Sequence, residues 1–247
     1  MDHKRADLLL VAQGLAESRT RARSLIEAGH VTSGGRAVAK PGEMLPADAP
    51  LAVTGTDNPY VSRGGLKLAF ALDQFGIAVQ GKTALDLGAS TGGFTQVLLE
   101  RGAARVYAVD VGHGQLHPRI AGDPRVVALE GTDARSLTAQ SIPEPPDLIT
   151  ADLSFIGLAK ALPVALKLAA PGAVLIALVK PQFEVGPAGV GKGGIVKDPA
   201  ARDAALAGVQ RWLAEEAGWT ILGATQSPIT GGDGNVEFLL AAKRNDG

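Results

Sequence analysis

Two kinds of hydrophobic pattern divide the chain. From residue 82 onward, short apolar runs alternate with stretches of helical spacing. Residues 83–87, 105–109 (ending in Asp110), 126–129, 148–151 (ending in Asp152) and 173–179 read as buried strands. Residues 94–101, 156–169 and 199–217 read as helices. Two last strands, 220–226 and 236–242, flank a glycine-rich turn. Strands alternating with helices predict a doubly wound, mostly parallel α/β sheet, with ligands at the carboxyl ends of its strands.

The first 55 residues are patterned differently. Apolar positions at helical spacing predict a helix over 5–13, ended by Gly14. Ser18 is an N-cap for a second helix over 19–28, stopped by Gly29. Ala22, Leu25 and Ile26 fall on one face of it, leaving Arg19, Arg21 and Arg23 largely on the other. Short strands are expected at 30–32, 37–39 and 51–53, around Gly34-Gly35. The turn-rich run Thr54-Gly55-Thr56-Asp57-Asn58-Pro59 marks a boundary. The expected organisation is a small α+β domain over 1–55, a linker and lead-in helix carrying Lys67 over 56–81, and the large sheet over 82–247.

Composition narrows the chemistry. The absence of cysteine excludes disulfides, thiolate metal sites and a cysteine nucleophile. His113 and His117, spaced i, i+4, have no third ligand nearby and read as loop residues, so no metal is expected. The most apolar region, 161–179, is broken by Pro163, Lys167 and Pro171, so no membrane span is expected. With no targeting pattern, the expected location is cytoplasmic. A net charge of −1 is compatible with nucleic-acid binding, because a local basic patch decides that. Clustered arginines on the second helix suit a phosphate backbone. The 32 glycines exceed the ordinary share of about 7% and point to tight turns and backbone-lined sites.

Three glycine signals compete. Gly88-Ala89-Ser90-Thr91-Gly92 has the form of a hydrolase elbow, but no histidine stands in the last half of the chain to complete a triad. Gly186 to Lys192 approaches a phosphate loop, but Gly193 stands where serine or threonine must hold magnesium. The third is Asp86-Leu87-Gly88-Ala89-Ser90-Thr91-Gly92-Gly93-Phe94. Its leading carboxylate repels a pyrophosphate and attracts a cationic cofactor. S-adenosyl-L-methionine carries a sulfonium and an ammonium and no phosphate. Expected cofactor contacts are Asp86, Gly88, Ser90, Gly92, Gly93 and Phe94, with Asp110 on the ribose and Asp133 near the adenine.

These residues carry a resemblance. Residues 4–53, with Ser18-Arg19, Ala22-Arg23, Gly29-His30-Val31, Gly35-Arg36 and Lys40-Pro41-Gly42, resemble the alpha-L RNA-binding module. The remainder resembles the FtsJ-like ribose methyltransferases. The matching stretches include Tyr60 to Leu68, Asp86 to Phe94, Ala151 to Ile156, Val179 to Glu184, Gly193 to Asp198 and Gly234 to Phe238. Together the chain resembles the TlyA-type ribosomal RNA methyltransferases, a family often labelled haemolysin. It departs at Thr32-Ser33 before Gly34, at Asp133 where asparagine is common, and at Gly231-Gly232 in place of glycine-proline, expected to loosen the loop before Glu237.

The resemblance implies 2′-O-methylation of a ribosomal RNA cytidine. Lys67, Asp152, Lys180 and Glu237 would surround the transfer point. Lys180 would act as base, the two carboxylates would orient the lysines and the hydroxyl, and Asp152 would also touch the cofactor. Arg5, Arg19, Arg21, Arg23, Arg36, Lys40 and Arg63 would hold RNA, and the target base would be extruded. Phe155 reads equally as a stacking partner for that base or as core. The rival functions are a membrane-active haemolysin, which no amphipathic basic helix supports, and a binding-only protein with a dead enzyme fold, against which the four intact residues argue.

Overall fold

A computed structural model describes residues 3–27, 29–53, 58–186, 189–191, 193–215 and 217–245. Thr54 to Asp57 of the boundary run and Pro187, Ala188 and Lys192 of the glycine loop lie outside the described residues, as does Ala28. Contacts along the chain separate two units between Pro59 and Tyr60.

In the first unit, β1 (His3–Arg5) leads into α1 (Ala6–Ala12), followed by α2 (Arg19–Glu27), β2 (Val31–Ser33), β3 (Arg36–Ala37), β4 (Met44–Pro46) and β5 (Leu51–Val53). The Ser18 hydroxyl accepts from the Arg21 amide at 3.1 Å, so the N-cap acts as its sequence position predicts. Leu9 and Leu10 of α1 pack with Leu25 and Ile26 of α2 and with Val31, forming a separate small core. The antiparallel β1–β4 pair was not anticipated. Strands of three residues are too short to show an alternating pattern.

The second unit begins with α3 (Gly64–Phe75), then β6 (Thr83–Leu87), α4 (Gly93–Glu100), β7 (Arg105–Asp110), α5 (Pro118–Ala121), β8 (Val126–Glu130) and β9 (Leu148–Ala151). After these come α6 (Leu158–Ala161), α7 (Pro163–Leu168), β10 (Val174–Val179), α8 (Pro181–Glu184), α9 (Pro199–Glu215), β11 (Trp219–Gln226) and β12 (Phe238–Arg244). The sheet order is β11-β12-β10-β9-β6-β7-β8. The five strands from β10 to β8 are parallel, and β12 runs antiparallel to both its neighbours. From β6 the chain moves outward to β7 and β8, then returns to β9 on the other side. This reversal is the switch point where such sheets bind ligands.

Two differences from the sequence reading have plain causes. The helix expected over 156–169 is split into α6 and α7, because Pro163 lacks the amide a continuous helix needs and starts α7 instead. The segment carrying Lys67 belongs to the second unit from Tyr60 onward. Leu68, Ala71 and Leu72 of α3 pack on Phe94, Val97 and Leu98 of α4. Gly65 admits this packing, since a Cβ there would lie 2.3 Å from the Tyr60 ring.

Candidate active site

Strand alternation decides what the glycine run can present. Leu85 and Leu87 point into the core beneath α6, α7 and α9, while Ala84 points into the core beneath α3 and α4. Asp86 shares the second face. It is fully buried, accepting from Thr95 Oγ1 of α4 at 2.6 Å and from Thr150 Oγ1 of β9 at 2.9 Å. Burial, with the Asp152 charge adding to it against the hydroxyl hydrogen bonds, pushes its carboxyl up to about 6.

Above the carboxyl ends of the strands lies a cavity of about 700 Å³. Gly88, Ser90, Asp110, Asp133 and Asp152 line it; Asp86, Gly92, Gly93 and Phe94 do not. Gly92 caps α4 in a left-handed conformation, at φ 96°. A Cβ on Gly93 would meet the Gly65 amide at 3.0 Å, and Phe94 is core. They build the turn rather than the wall. Gly88 is required at the wall itself, because a Cβ would lie 2.4 Å from the Asp152 carbonyl oxygen.

Asp110 holds this turn in place. Its Oδ2 accepts from the Ser90 amide at 2.8 Å and its Oδ1 from the Gly112 amide at 2.7 Å. Ser90 has the positive φ of 48°, uncommon without glycine. The Asp133 carboxylate is clasped by Arg135 at 2.6 Å, which holds it down near 2. Glu130, which the sequence reading passed over, gathers three successive loop amides, those of Gly114, Gln115 and Leu116. Those hydrogen bonds hold its carboxyl below the ordinary range.

The four residues expected at the transfer point are brought to neighbouring chain ends. Asp152 follows the last residue of β9. Lys180 and Glu237 stand one step beyond the final β10–β12 pair, Val179 and Phe238. Lys67 reaches Glu237 from α3, with Nζ 2.5 Å from Oε2 and both side chains buried. Lys180 Nζ lies 2.6 Å from Asp152 Oδ1 and 2.9 Å from Ser154 Oγ. Asp152 and Ser154 both line the cavity, so Lys180 meets it through its two partners. The loop before Glu237 carries a hydrogen bond of its own. The Gly231 amide donates to the Asn235 carbonyl at 2.9 Å, and a Cβ on Gly231 would strike Glu237 Oε1 at 2.6 Å.

Two further side chains fasten the surroundings. Asn235 is buried, accepts from the Val196 amide and donates to the Gly194 carbonyl, tying the end of the glycine loop beside Glu237. Phe155, at the cavity mouth, is 91% exposed with φ 65°. The core reading of Phe155 is thereby excluded. Its ring lies 5.3 Å from that of Phe183.

The basic residues divide by what they touch. Arg5 and Arg19 both bind the buried Asp7, at 2.9 and 3.0 Å. Arg36 pairs with Glu43 at 2.5 Å, and Arg23 sits 3.9 Å from Glu27. Arg63, in the second unit, donates to the Thr230 carbonyl at 2.9 Å. Arg21 and Lys40 have no ion pair among the described residues.

Residues 60–244 match the FtsJ-like methyltransferase family, and residues 4–49 match the S4 domain. Fold and site therefore define a Rossmann-like methyltransferase carrying a small RNA-binding module. The chain belongs to the TlyA-type ribosomal RNA methyltransferases. It is 50% identical to the 16S/23S rRNA (cytidine-2′-O)-methyltransferase TlyA of Mycobacterium tuberculosis over 237 residues, 96% of this chain and 88% of that protein. It is 38% identical to Hemolysin A of Brachyspira hyodysenteriae over 95% of this chain and 98% of that one. A solved structure from Streptococcus thermophilus, named as a hemolysin, superposes with TM-score 0.79 at 40% identity, covering 100% of this chain and 90% of that one.

Proposed function

We propose that the protein methylates the 2′-hydroxyl of a cytidine in ribosomal RNA, with S-adenosyl-L-methionine as methyl donor, in the cytoplasm. One observation carries the reading: a cavity at the switch point shares Asp152 and Ser154 with a lysine, Lys180, that is otherwise enclosed. The cavity suits the donor. Gly88 admits close approach to the backbone, and the carboxylates of Asp110, Asp133 and Asp152 offer acceptors to ribose hydroxyls, an adenine amine and an ammonium. When bound, S-adenosyl-L-methionine supplies a methyl on a positively charged sulfur, and the electron pair of the broken C–S bond leaves with that sulfur.

The chain's residues do the rest. Lys180 takes the proton of the 2′-hydroxyl while its oxygen forms the new O–C bond. Asp152 anchors Lys180 and stabilises the ammonium that results. The buried Lys67–Glu237 pair forms the other side of the transfer point and orients the hydroxyl. Dispersal of the donor's charge during transfer leaves alignment as the main contribution. The exposed ring of Phe155 offers a stacking face to the extruded base. Arg21 and Lys40, whose side chains have no ion pair among the described residues, are the strongest phosphate contacts of the S4 domain, with Arg5, Arg19, Arg23 and Arg36 adding weaker ones.

Incubating the purified protein with ribosomal subunits from a strain lacking the enzyme, with labelled donor, tests this. The expected product is one or a few 2′-O-methylcytidines, absent with Lys180→Ala, whose donor affinity stays within about twofold because Lys180 meets the cavity through Asp152 and Ser154. Methylation of a base, or full activity of Lys180→Ala, overturns the assignment. Some relatives carry a hemolysin name. Among the described residues no helix is long and apolar enough to cross a membrane. Dye release from liposomes by the purified protein would favour that second activity.

A further inference from the structure

We infer that Ser154 is a positioning residue for methyl transfer, one that fixes the direction of the Lys180 lone pair. The inference rests on Lys180 as the base and goes one step deeper into the same site. A neutral primary amine has two N–H bonds and one lone pair, in three staggered directions about the Cε–Nζ bond. Asp152 Oδ1 at 2.6 Å accepts one N–H. With that acceptor alone, the other hydrogen and the lone pair exchange places freely, and half of the orientations present a hydrogen where the base must present electrons. Ser154 Oγ, at 2.9 Å, accepts the second N–H. Only one direction then remains for the lone pair.

The surrounding loop is built to keep that hydroxyl in place. Phe155, the next residue, holds a left-handed backbone at φ 65°, which a bulky side chain adopts only when its surroundings impose it. The constraint comes from α8, just after Lys180 in the chain. Glu184 Oε1 accepts from the Leu158 amide at 2.9 Å, and the Phe183 ring rests against Phe155. A Cβ on Gly157 would lie 3.1 Å from Glu184 Oε2, so the loop and α8 meet closely. One short segment thus carries the base, and its own side chains clamp the loop that aims the base. Ser154 is exposed and lines the cavity, where nothing in the packing of the core requires a hydroxyl.

The test compares wild type, Ser154→Ala, Ser154→Thr and Lys180→Ala on ribosomal subunits. Ser154→Ala should lower kcat about twofold, the share of orientations that then present a hydrogen, with KM for RNA and donor affinity unchanged. Ser154→Thr keeps an acceptor oxygen and should recover most of the rate. The deficit of Ser154→Ala should stay constant from neutral to alkaline pH, because orientation and not protonation is lost. A wild-type rate for Ser154→Ala, a deficit shared by Ser154→Thr, or rescue at alkaline pH each overturns the role of Ser154. Activity in Lys180→Ala instead overturns the base assignment beneath it, so the two failures are distinct.

Discussion

Each unit of the protein buries a carboxylate completely, and the two are stabilised in opposite ways. Asp7 in the S4 domain lies between the guanidinium groups of Arg5 and Arg19. They hold its carboxyl down near 2, with the Arg5 hydrogen bond as the main cause. Asp86 in the methyltransferase domain has the Thr95 and Thr150 hydroxyls and the Thr95 amide, and burial raises it to about 6. Hydroxyl dipoles satisfy the hydrogen-bonding needs of a carboxylate without offsetting the cost of desolvating its charge. Full cations do both. The catalytic domain uses the cation solution as well, at Glu237, where Lys67 is the partner.

The contrast is open to attack at each of these carboxylates, and the largest effect belongs to Glu237. Lys67→Ala leaves that carboxylate buried without its cation and should cost about 3–5 kcal/mol. The double variant Lys67→Met with Glu237→Leu removes both charges and should regain most of the stability in urea denaturation, though no activity. Recovery of neither would mean that packing, and not charge compensation, holds this pair.

Next comes Asp86, whose raised carboxyl favours folding most below about pH 4. The penalty of ionising it in place then grows as pH rises through about 6. Asp86→Asn removes that penalty. The variant should match wild type below pH 4 and exceed it at pH 7 by up to about 3 kcal/mol, with the gap opening between pH 4 and 6. Thermal unfolding of both proteins across that range reads the gap directly. A parallel pair of curves contradicts the description of Asp86 as uncompensated.

Asp7 has the opposite sign. Its depressed carboxyl adds stability that is fully present above about pH 4 and is lost as pH falls toward 2, amounting to about 2 kcal/mol. Asp7→Asn should remove that increment at neutral pH and flatten the acid limb. Hydrogen exchange at the Leu9 and Leu10 amides localises the loss to the S4 domain.

The smallest effect sharpens the comparison on the RNA side. Arg19 is already committed to Asp7, whereas Arg21 and Lys40 are not. Arg21→Ala and Lys40→Ala should each weaken RNA binding uniformly across sequences and lower the salt slope by about one, with Arg19→Ala doing less to the slope and more to stability. A larger loss of salt dependence from Arg19→Ala reverses this ranking.

Much of the fold was legible because it rests on local periodicity. The alternation of apolar runs located six of the seven large-sheet strands to within one residue at each end; the seventh, 236–242, was found but placed two residues early. Lys67, Asp152, Lys180 and Glu237 were legible through their ordered resemblance to a family. Their division into two ion pairs was not, since Lys67 and Glu237 lie 170 residues apart in sequence. The burial of Asp86 was not legible, for a geometric reason. A residue beside a glycine turn reads as part of its wall, but on a strand its side chain obeys the two-residue alternation and here points under α4. Ser154, Glu184 and Asn235 went unassigned because serine, glutamate and asparagine in loops carry no periodic signal of their roles.

The sequence by itself determined the order of the large-sheet strands along the chain and the chemistry available at the strand ends. These follow from which residues alternate, which cannot continue a helix and which carry charge. Only tertiary structure decided which carboxylate meets which cation, which arginines are taken up in ion pairs, and which residues line the cavity. Those outcomes depend on the packing of strands and helices distant in the chain, where a fraction of an ångström separates a hydrogen bond from an unpaired charge.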